Sequence, residues 1–422
     1  IAAAGRKRGG PAKMAVIASA FFGTISGSCV ANVVSTGAFT IPLMKKNGYR
    51  AKFAGAVEAV ASTGGQIMPP IMGAAAFVMA DITGISYAEI CIAAVLPAVM
   101  YYVCLFKMVD LESVRFDLKG LPEDQIPDLK QSLARGMKLF VPVAVLLIMM
   151  IGLKTTPMKA AIWSIAAILV LGFLDKKDRM TIKGVVDGAV AAAKSLCAVV
   201  GACATAGIVV SVFSLTGLGL KFSNFIVQLG NNALIPSLIL SMLVCAVLGM
   251  GLPTTAAYIV CATAIAPALT GLGVPVLAAN LFLLYFASLS AITPPVAVAS
   301  YAAAGIAEEN PVQLGLTAVK LGITGFILPF AFALNPDYIT FHFDIQTLMT
   351  WLSGLVVAYS LAIAFQGYVE KKITLVERAV YLGIICLVIV PNFWSSLTGI
   401  VLFAAFYGYR QWEAKKAAGA VS

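Results

Sequence analysis

Apolar runs along this chain are interrupted by short polar segments at two matching places. The first interrupted region covers residues 26–70 and the second covers residues 251–295. In each region a Gly-rich polar break separates two apolar runs, and a second polar break closes on Pro-Pro. Pro42 and Pro267 occupy equivalent positions in the two regions, 225 residues apart (267 − 42). The pattern predicts an internal repeat in which a helical hairpin precedes a helix that is broken in its middle.

The first hairpin is predicted to have apolar arms at 14–25 and 30–44, and the second at 233–249 and 255–272. The arms of the first are about 12–15 residues long, which is short of the ~30 Å hydrocarbon core, so re-entrant hairpins are favoured. Broken crossing helices follow at 53–80 and 275–306. Further apolar spans are predicted at 86–106, 139–153, 157–174, 184–215, 312–334, 345–367, 375–391 and 393–409, with an interfacial amphipathic helix at 218–230.

This pattern divides the chain into four segments. Residues 1–110 hold the first repeat, and residues 233–340 hold the second. Between them, 111–232 form a cytoplasmic loop and scaffold helices. Residues 341–422 form C-terminal transmembrane helices. The second repeat is preceded by membrane spans that have no equivalent before the first, so we expect leading helices upstream of Ile1.

Composition places these helices in a membrane. Of the 422 residues, 60% are hydrophobic and only 11% are charged, and the mean hydropathy is +0.96. A soluble domain carries about 25% charged residues. Long apolar runs require α-helices rather than a β-barrel, which shows short alternating segments. The fold class is therefore an all-α membrane protein in a lipid bilayer.

The net charge of +10 comes largely from basic loops between apolar spans. Membrane topology explains this placement better than nucleic-acid binding does, so no nucleic-acid partner is expected. Basic residues such as Lys13, Lys45 and Lys46 flank the first hairpin on both sides, whereas the flanks of the second carry none. The hairpins should therefore enter from opposite sides of the membrane, as in an inverted-topology repeat.

The two breaks in each repeat are the candidate sites. Broken membrane helices expose backbone carbonyls and amides, which are tolerated only inside protein or against a cavity. The hairpin tip and the helix break of each repeat should meet. The first constellation joins Ser26, Ser28 and Asn32 with Gly64, Gly65 and Gln66; the second joins Gly249, Gly251, Thr254 and Thr255 with Ser288, Ser290 and Thr293.

Hydroxyl, carbonyl and amide oxygens without a carboxylate favour a monovalent cation such as Na⁺, since Ca²⁺ and Mg²⁺ prefer carboxylates. The alternative is that these small residues only cap broken helices and let them pack closely. The solute is expected between the two tips, against Ser28, Asn32, Gln66, Thr254 and Thr293.

Glu58 is an ionisable residue inside a predicted span, and such residues are candidates for function. It could bind a coupling proton, or it could form an ion pair with Lys52 six residues before it. The hairpin tips contain no His, Asp, Glu or Lys that could serve as a general base, which argues against an intramembrane hydrolase. No ATP-binding P-loop occurs, which argues against an ATP-driven pump. No catalytic residue and no cofactor other than the coupling ion are expected.

Residues 26–77 and 249–307 resemble the large membrane subunit of the tripartite ATP-independent periplasmic (TRAP) transporters. The resemblance is specific over residues 14–335 and looser over 345–409. It is closest to the fused-permease branch that works with TAXI-type binding proteins.

The resemblance implies an elevator-type secondary transporter in a bacterial or archaeal inner membrane. It would import an organic acid delivered by a periplasmic TAXI-type binding protein, together with small-subunit membrane helices, which are absent from this sequence. By resemblance, one Na⁺ site falls on Ser26, Ser28, Asn32 and Gly65, and a second on Thr254, Thr255, Ser290 and Thr293. Within this branch the coupling ion is either Na⁺ or H⁺. A partner-independent Na⁺/H⁺ antiporter or symporter of related architecture is the alternative function.

Overall fold

The computed structural model describes residues 5, 8–121, 129–174, 179–341 and 344–419. The first repeat begins with a helical hairpin and continues through a broken helix into a long helix. Its helices are α1 (Gly10–Ser26), α2 (Cys29–Lys46), α3 (Ala51–Gly64), α4 (Ala74–Thr83) and α5 (Tyr87–Arg115).

The middle of the chain is also helical. Its helices are α6 (Leu129–Leu147), which continues into a π-helical turn at Ile148–Gly152, α7 (Pro157–Leu174), α8 (Ile182–Thr216) and α9 (Leu218–Leu229). Helix α9 coincides with the predicted amphipathic helix and packs against the second hairpin, as α8 does.

The second repeat has the same order of elements as the first. Its helices are α10 (Leu234–Leu248), α11 (Thr254–Gly271), α12 (Val276–Leu289), α13 (Val298–Ala307), α14 (Pro311–Leu321) and α15 (Ile323–Leu334). Three C-terminal helices follow: α16 (Ile345–Gln366), α17 (Leu375–Ile389) and α18 (Phe393–Gly419). The predicted all-α class is confirmed for the described residues.

The repeat is exact in two helices of each copy. Helices α11 and α12 begin and end 225 positions after α2 and α3 (254 − 29, 271 − 46, 276 − 51 and 289 − 64). The cis bonds Pro69-Pro70 and Pro294-Pro295 obey the same offset, as do the positive φ angles of Met72 and Ala297. The two copies therefore share backbone conformation as well as sequence spacing.

The two repeats interlock after their breaks. Helix α4 leaves its own hairpin and packs against α11 and α12, whereas α13 packs against α2 and α3. Each crossing helix thus supplies its second half to the other repeat, which brings the two breaks and the two hairpin tips together.

Four helices run well beyond the predicted apolar spans. Helix α6 begins at Leu129 rather than at 139, within the segment predicted as a loop. In the other three, charged residues beyond the apolar run are paired. Helix α1 starts earlier than 14: the Lys13 ammonium lies 2.6 Å from the Asp110 carboxylate. Helix α5 continues past 106, where Lys107 also pairs with Asp110, at 3.0 Å. Helix α18 continues past 409, where Arg410 pairs with Glu377 and Glu413. Pairing lowers the cost of placing these charges next to an apolar run, so each helix continues past its first charged residue.

The predicted span 312–334 is formed by α14 and α15, which are bent by 41° relative to each other. Gly322 lies at the bend, and a Cβ atom there would approach Ile292 Cδ1 to 2.9 Å. The bend therefore accommodates the break of the second crossing helix. Within the described residues, the helices long and apolar enough to span a membrane are α5, α7, α11 and α16, with the bent pair as a fifth.

Candidate functional site

Both hairpin tips and both helix breaks line one cavity of about 400 Å³. The first hairpin contributes Ser26 to Val30, and the second contributes Gly251 to Thr255. The breaks contribute the remaining residues: Gln66, Gly73, Ala74, Ala75, Ala291 and Val298. No lining side chain is charged. Polar chemistry in this cavity therefore comes from hydroxyls, one carboxamide and the backbone.

Four helices present their first turns to the cavity. Helices α2, α4, α11 and α13 begin at Cys29, Ala74, Thr254 and Val298, all of which are lining residues. The first backbone N–H groups of a helix lack intrahelical acceptors. Side chains do not cap α4, α11 or α13. The cavity thus receives the positive ends of four helix dipoles and first-turn backbone N–H groups, an arrangement that binds anions. One of these groups, the Ala299 N–H, is already bonded to the Ala291 carbonyl at 2.9 Å.

Gln66 connects the two repeats at this cavity. Its Oε1 atom accepts a 3.1 Å hydrogen bond from the Thr254 hydroxyl at the second tip. Its Nε2 atom donates to the carbonyl oxygen of Gly27 at the first tip, at 3.4 Å. The Gln66 side chain is 4% exposed. One carboxamide therefore links both hairpin tips.

Glycine lets the first hairpin approach its break. A Cβ atom on Gly65 would lie 2.4 Å from Gly23 Cα, and one on Gly23 would lie 2.7 Å from Asn32 Nδ2. Asn32 is fully buried and donates from Nδ2 to the Ser19 carbonyl at 2.8 Å. Asn32 and Gly65 thus lie behind the cavity, whereas Ser26 and Ser28 line it.

The two predicted serines at the first tip differ. The Ser28 hydroxyl accepts from the Ala31 amide at 3.4 Å and caps α2. The Ser26 hydroxyl is buried without a hydrogen-bond partner among the described residues. Ser26 Oγ is therefore an oxygen available to a ligand.

The residues of the second predicted constellation also lie in two places, the cavity wall and the helix break. Thr254 and Thr255 line the cavity. The Ser290 hydroxyl instead donates within the break, lying 3.1 Å from the Gly249 carbonyl and 2.7 Å from that of Ala287. Thr293 donates to the Leu289 carbonyl at 2.8 Å. Ser290 thus closes the second hairpin onto its break, at the position equivalent to Gly65 in the first repeat.

The hydroxyl groups around Glu58 were not among the predicted site residues. This carboxyl group is fully buried and accepts hydrogen bonds from Ser19, Thr36, Thr40 and Ser62, at 2.6, 2.5, 2.5 and 3.1 Å. No ion pair joins it to Lys52 within the described part of the chain. Thr36 and Thr40 are four residues apart on α2, and Glu58 and Ser62 are four apart on α3. This i, i+4 spacing places each pair on one helix face and was a signal available in the sequence.

Comparison with known proteins agrees with this architecture. The family model for the DctM component of the tripartite ATP-independent periplasmic transporters matches residues 1–346. The chain is 26% identical to a protein of Haemophilus influenzae named as a TRAP transporter large permease, over 69% of this chain and 68% of that protein. It is 23% identical to the 2,3-diketo-L-gulonate TRAP transporter large permease of Escherichia coli, over 72% and 71%.

A shorter match links the chain to the C4-dicarboxylate TRAP transporter large permease of Vibrio cholerae. The two are 32% identical over 32% of this chain and 28% of that protein. The matched segments thus cover from about a quarter to just under three quarters of the length of these three relatives. The family model, by contrast, covers most of this chain, including both repeats. The chain belongs to the DctM family of TRAP transporter permease components, an integral membrane transporter family and not an enzyme family.

Proposed function

We propose that this chain forms the translocation pathway of a cation-coupled secondary transporter that imports a carboxylate-bearing organic solute. The observation that carries the proposal is the cavity shared by both hairpin tips and both helix breaks. Its four helix N-termini supply positive dipole ends and backbone N–H groups, and its described lining residues carry no charged side chain. Such a surface binds an anion without holding it as tightly as a buried arginine would, which suits release on the other side.

The solute class follows from this donor set. A carboxylate offers acceptor oxygens that several helix N-termini can share. The names of two relatives give a C4-dicarboxylate and a sugar acid, and both are carboxylates. Ser28, Gln66 and Thr254 add side-chain polar atoms to the cavity wall. We propose that these three contact the solute directly, with Asn32 and Thr293 supporting the tip and the break behind them.

Coupling is proposed to use Na⁺ at two places. The first combines Ser26, Ser28, Asn32 and Gly65, and the unpaired Ser26 hydroxyl supports it. The second combines Thr254, Thr255, Ser290 and Thr293. Hydroxyl oxygens that donate to carbonyls, as those of Ser290 and Thr293 do, retain lone pairs for a cation. Neither place offers a carboxylate, which favours a monovalent ion over a divalent one.

The interlocked repeats are proposed to move as one elevator-type transport domain with inverted topology. The exchange of α4 and α13 between repeats supports this, because neither hairpin can shift without the other's crossing helix. Helix α16 packs against α5 of the first repeat and also contacts α17 and α18; helices α16, α17 and α18 are proposed to belong to the scaffold. The remaining partners are a TAXI-type periplasmic binding protein and small-subunit helices, in a bacterial or archaeal inner membrane.

The test is uptake of radiolabelled succinate, a C4-dicarboxylate, and of a panel of other organic acids into proteoliposomes. The vesicles contain the full-length permease with its small-subunit helices, and its periplasmic binding protein is added outside. We expect accumulation without ATP that requires both the binding protein and an imposed cation gradient. The Thr254→Val variant should lose at least tenfold in rate, whereas Thr263→Val on the same helix should retain it. Among the described residues, the Thr263 hydroxyl bonds only to carbonyls of its own helix.

Two results would overturn the proposal. Uptake that persists after both the Na⁺ and H⁺ gradients are collapsed would exclude secondary transport. Flux of equal rate without the binding protein would favour the partner-independent symporter or antiporter.

A further inference from the structure

Glu58 is enclosed by hydroxyl groups from three helices. Ser19 comes from α1, Thr36 and Thr40 from α2, and Ser62 from α3 itself. The carboxyl group has no exposed surface. Its hydrogen-bond partners among the described residues are these neutral hydroxyls. An unpaired carboxylate buried in a membrane protein is costly and calls for an explanation beyond packing.

The oxygen atoms of this cluster are spaced for hydrogen bonds rather than for coordination of a metal ion. Three of the hydroxyl oxygens lie 2.5 to 2.6 Å from the Glu58 carboxyl oxygens. Even Mg²⁺, with bonds of about 2.0–2.1 Å, holds neighbouring ligand oxygens about 2.9 Å apart. A proton, by contrast, is shared between oxygens at 2.5–2.7 Å. The cation that fits this cluster is H⁺.

The cluster satisfies Glu58 both with and without its proton, because hydroxyls can reverse their hydrogen bonds. When the carboxylate is ionised, all four hydroxyls can donate to it. When a proton from water adds to Oε1, the new O–H can donate to Thr36 Oγ1. The Thr36 hydrogen then turns to Asn32, whose carbonyl and Oδ1 oxygens lie 2.8 and 3.0 Å away. No charged partner has to move.

We propose that Glu58 takes up and releases one proton in each transport cycle, a proposal that rests on the function argued above. Thr36 and Thr40 are half-buried and supply the route by which the proton reaches the buried carboxyl. Because Thr36 bonds either Glu58 or Asn32, the proton decides how Asn32 is held behind the first hairpin tip. Protonation is thereby linked to the conformation of that tip.

The other titratable groups named below, on the helices packed against α3, do not bond the Glu58 carboxyl group. On α5, the Tyr101 and Tyr102 hydroxyls donate to the Val60 and Ala61 carbonyls at 2.9 and 2.8 Å. On α1, Lys13 is bonded to Asp110. The remaining groups on packed helices have no hydrogen bond or ion pair to Glu58: Cys29, Lys45 and Lys46 on α2, Tyr285 on α12, Tyr301 on α13 and Lys320 on α14.

The test is infrared difference spectroscopy of the purified, lipid-reconstituted permease between acidic and alkaline buffer. It needs no solute and therefore stands apart from the test of the transport function. We expect the carbonyl stretch of a protonated buried carboxyl to appear at acidic pH and to vanish in Glu58→Gln. The matched control is Glu112→Gln, which alters another buried carboxyl, one that Gln366 Nε2 contacts at 2.6 Å; it should keep the Glu58 band.

A second variant, Thr40→Val, tests the proposal even if Glu58→Gln fails to fold. Thr40→Val removes one hydroxyl donor to Oε2 and leaves the carboxyl in place. Because the ionised form loses a hydrogen bond, the pH at which the band has half its full intensity should rise by about one unit. A band that persists in Glu58→Gln, or a pH titration that Thr40→Val leaves unchanged, would overturn the proposal. A confirmed band with no solute uptake would leave the proton site standing and reject the transport function.

Discussion

The Thr254 hydroxyl donates a 3.1 Å hydrogen bond to Gln66 Oε1, and this bond joins the tip of the second hairpin to the break of the first crossing helix. The two residues are 188 positions apart in the chain. Gln66 also donates to Gly27 at the first tip. The two repeats therefore meet through one carboxamide at the wall of the cavity.

This contact predicts non-additive mutations. Gln66→Leu and Thr254→Val should each reduce solute uptake at least tenfold, because each removes a polar atom from the cavity wall and breaks the link between repeats. The double variant should be little worse than either single one. Coupling of about 0.5–3 kcal/mol is typical of residues in direct contact. Initial uptake rates of the four proteins give this coupling directly.

Fully additive losses would show that the two side chains act independently. Thr263→Val serves as the control, since its hydroxyl bonds within α11.

The sequence pattern predicted the repeat, both hairpins and both breaks, because these depend on local signals. Gly, Pro and apolar spacing determine where a helix can start and stop. Helices α2 and α11 begin at Cys29 and Thr254, which are separated by the predicted 225 positions (254 − 29). The exchange of α4 and α13 between the repeats was not predictable. It depends on how two assembled repeats pack, which no spacing within one repeat encodes.

The candidate site was only partly predictable for the same reason. Gln66, Ser28 and Thr254 stood out as polar residues inside breaks, and the structure brings them to one cavity. Asn32 and Ser290 carried the same signal, but Asn32 bonds the Ser19 carbonyl of α1 and Ser290 bonds carbonyls of its own hairpin and break. Packing decides both positions. The hydroxyls around Glu58 are spread over three helices. Only Ser62, which is four residues after Glu58 on α3, could have been predicted from helical spacing to lie beside the carboxyl group.

Glycine at position 65 should be essential to the first hairpin. A Cβ atom there would lie 2.4 Å from Gly23 Cα, and backbone cannot yield as a flexible side chain can. Gly65→Ala should therefore destabilise the protein by about 1–3 kcal/mol and reduce uptake. Gly305→Ala on α13 is the matched control, since nothing lies within 4 Å of the added methyl. Thermal unfolding in detergent compares the two, and equal melting temperatures would contradict the close approach.

The second hairpin is held to its crossing helix by a buried pair. The Tyr258 hydroxyl donates to Asn280 Oδ1 at 2.8 Å. Tyr258→Phe should cost about 1–3 kcal/mol, because Asn280 Oδ1 is then buried without a donor. The Tyr285 hydroxyl is also buried but has no partner among the described residues, so Tyr285→Phe should be neutral or slightly stabilising. Unfolding of both variants under the same conditions checks the prediction; similar losses would refute it.

An acidic residue at the start of α4 should raise the stability of the fold and lower the rate of transport. Ala74 is exposed to the cavity at the first position of that helix, which has no side-chain cap. Ala74→Asp places a negative charge at the positive end of the helix dipole and should stabilise the fold by about 0.3–1 kcal/mol. The same charge should repel a carboxylate from the shared N-termini and reduce uptake of whichever organic acid the permease transports by at least tenfold. Ala74→Asn, of nearly equal size and without the charge, should lose much less. A solute that is not an anion would instead be transported at similar rates by both variants, which would reject the helix N-termini as its binding surface.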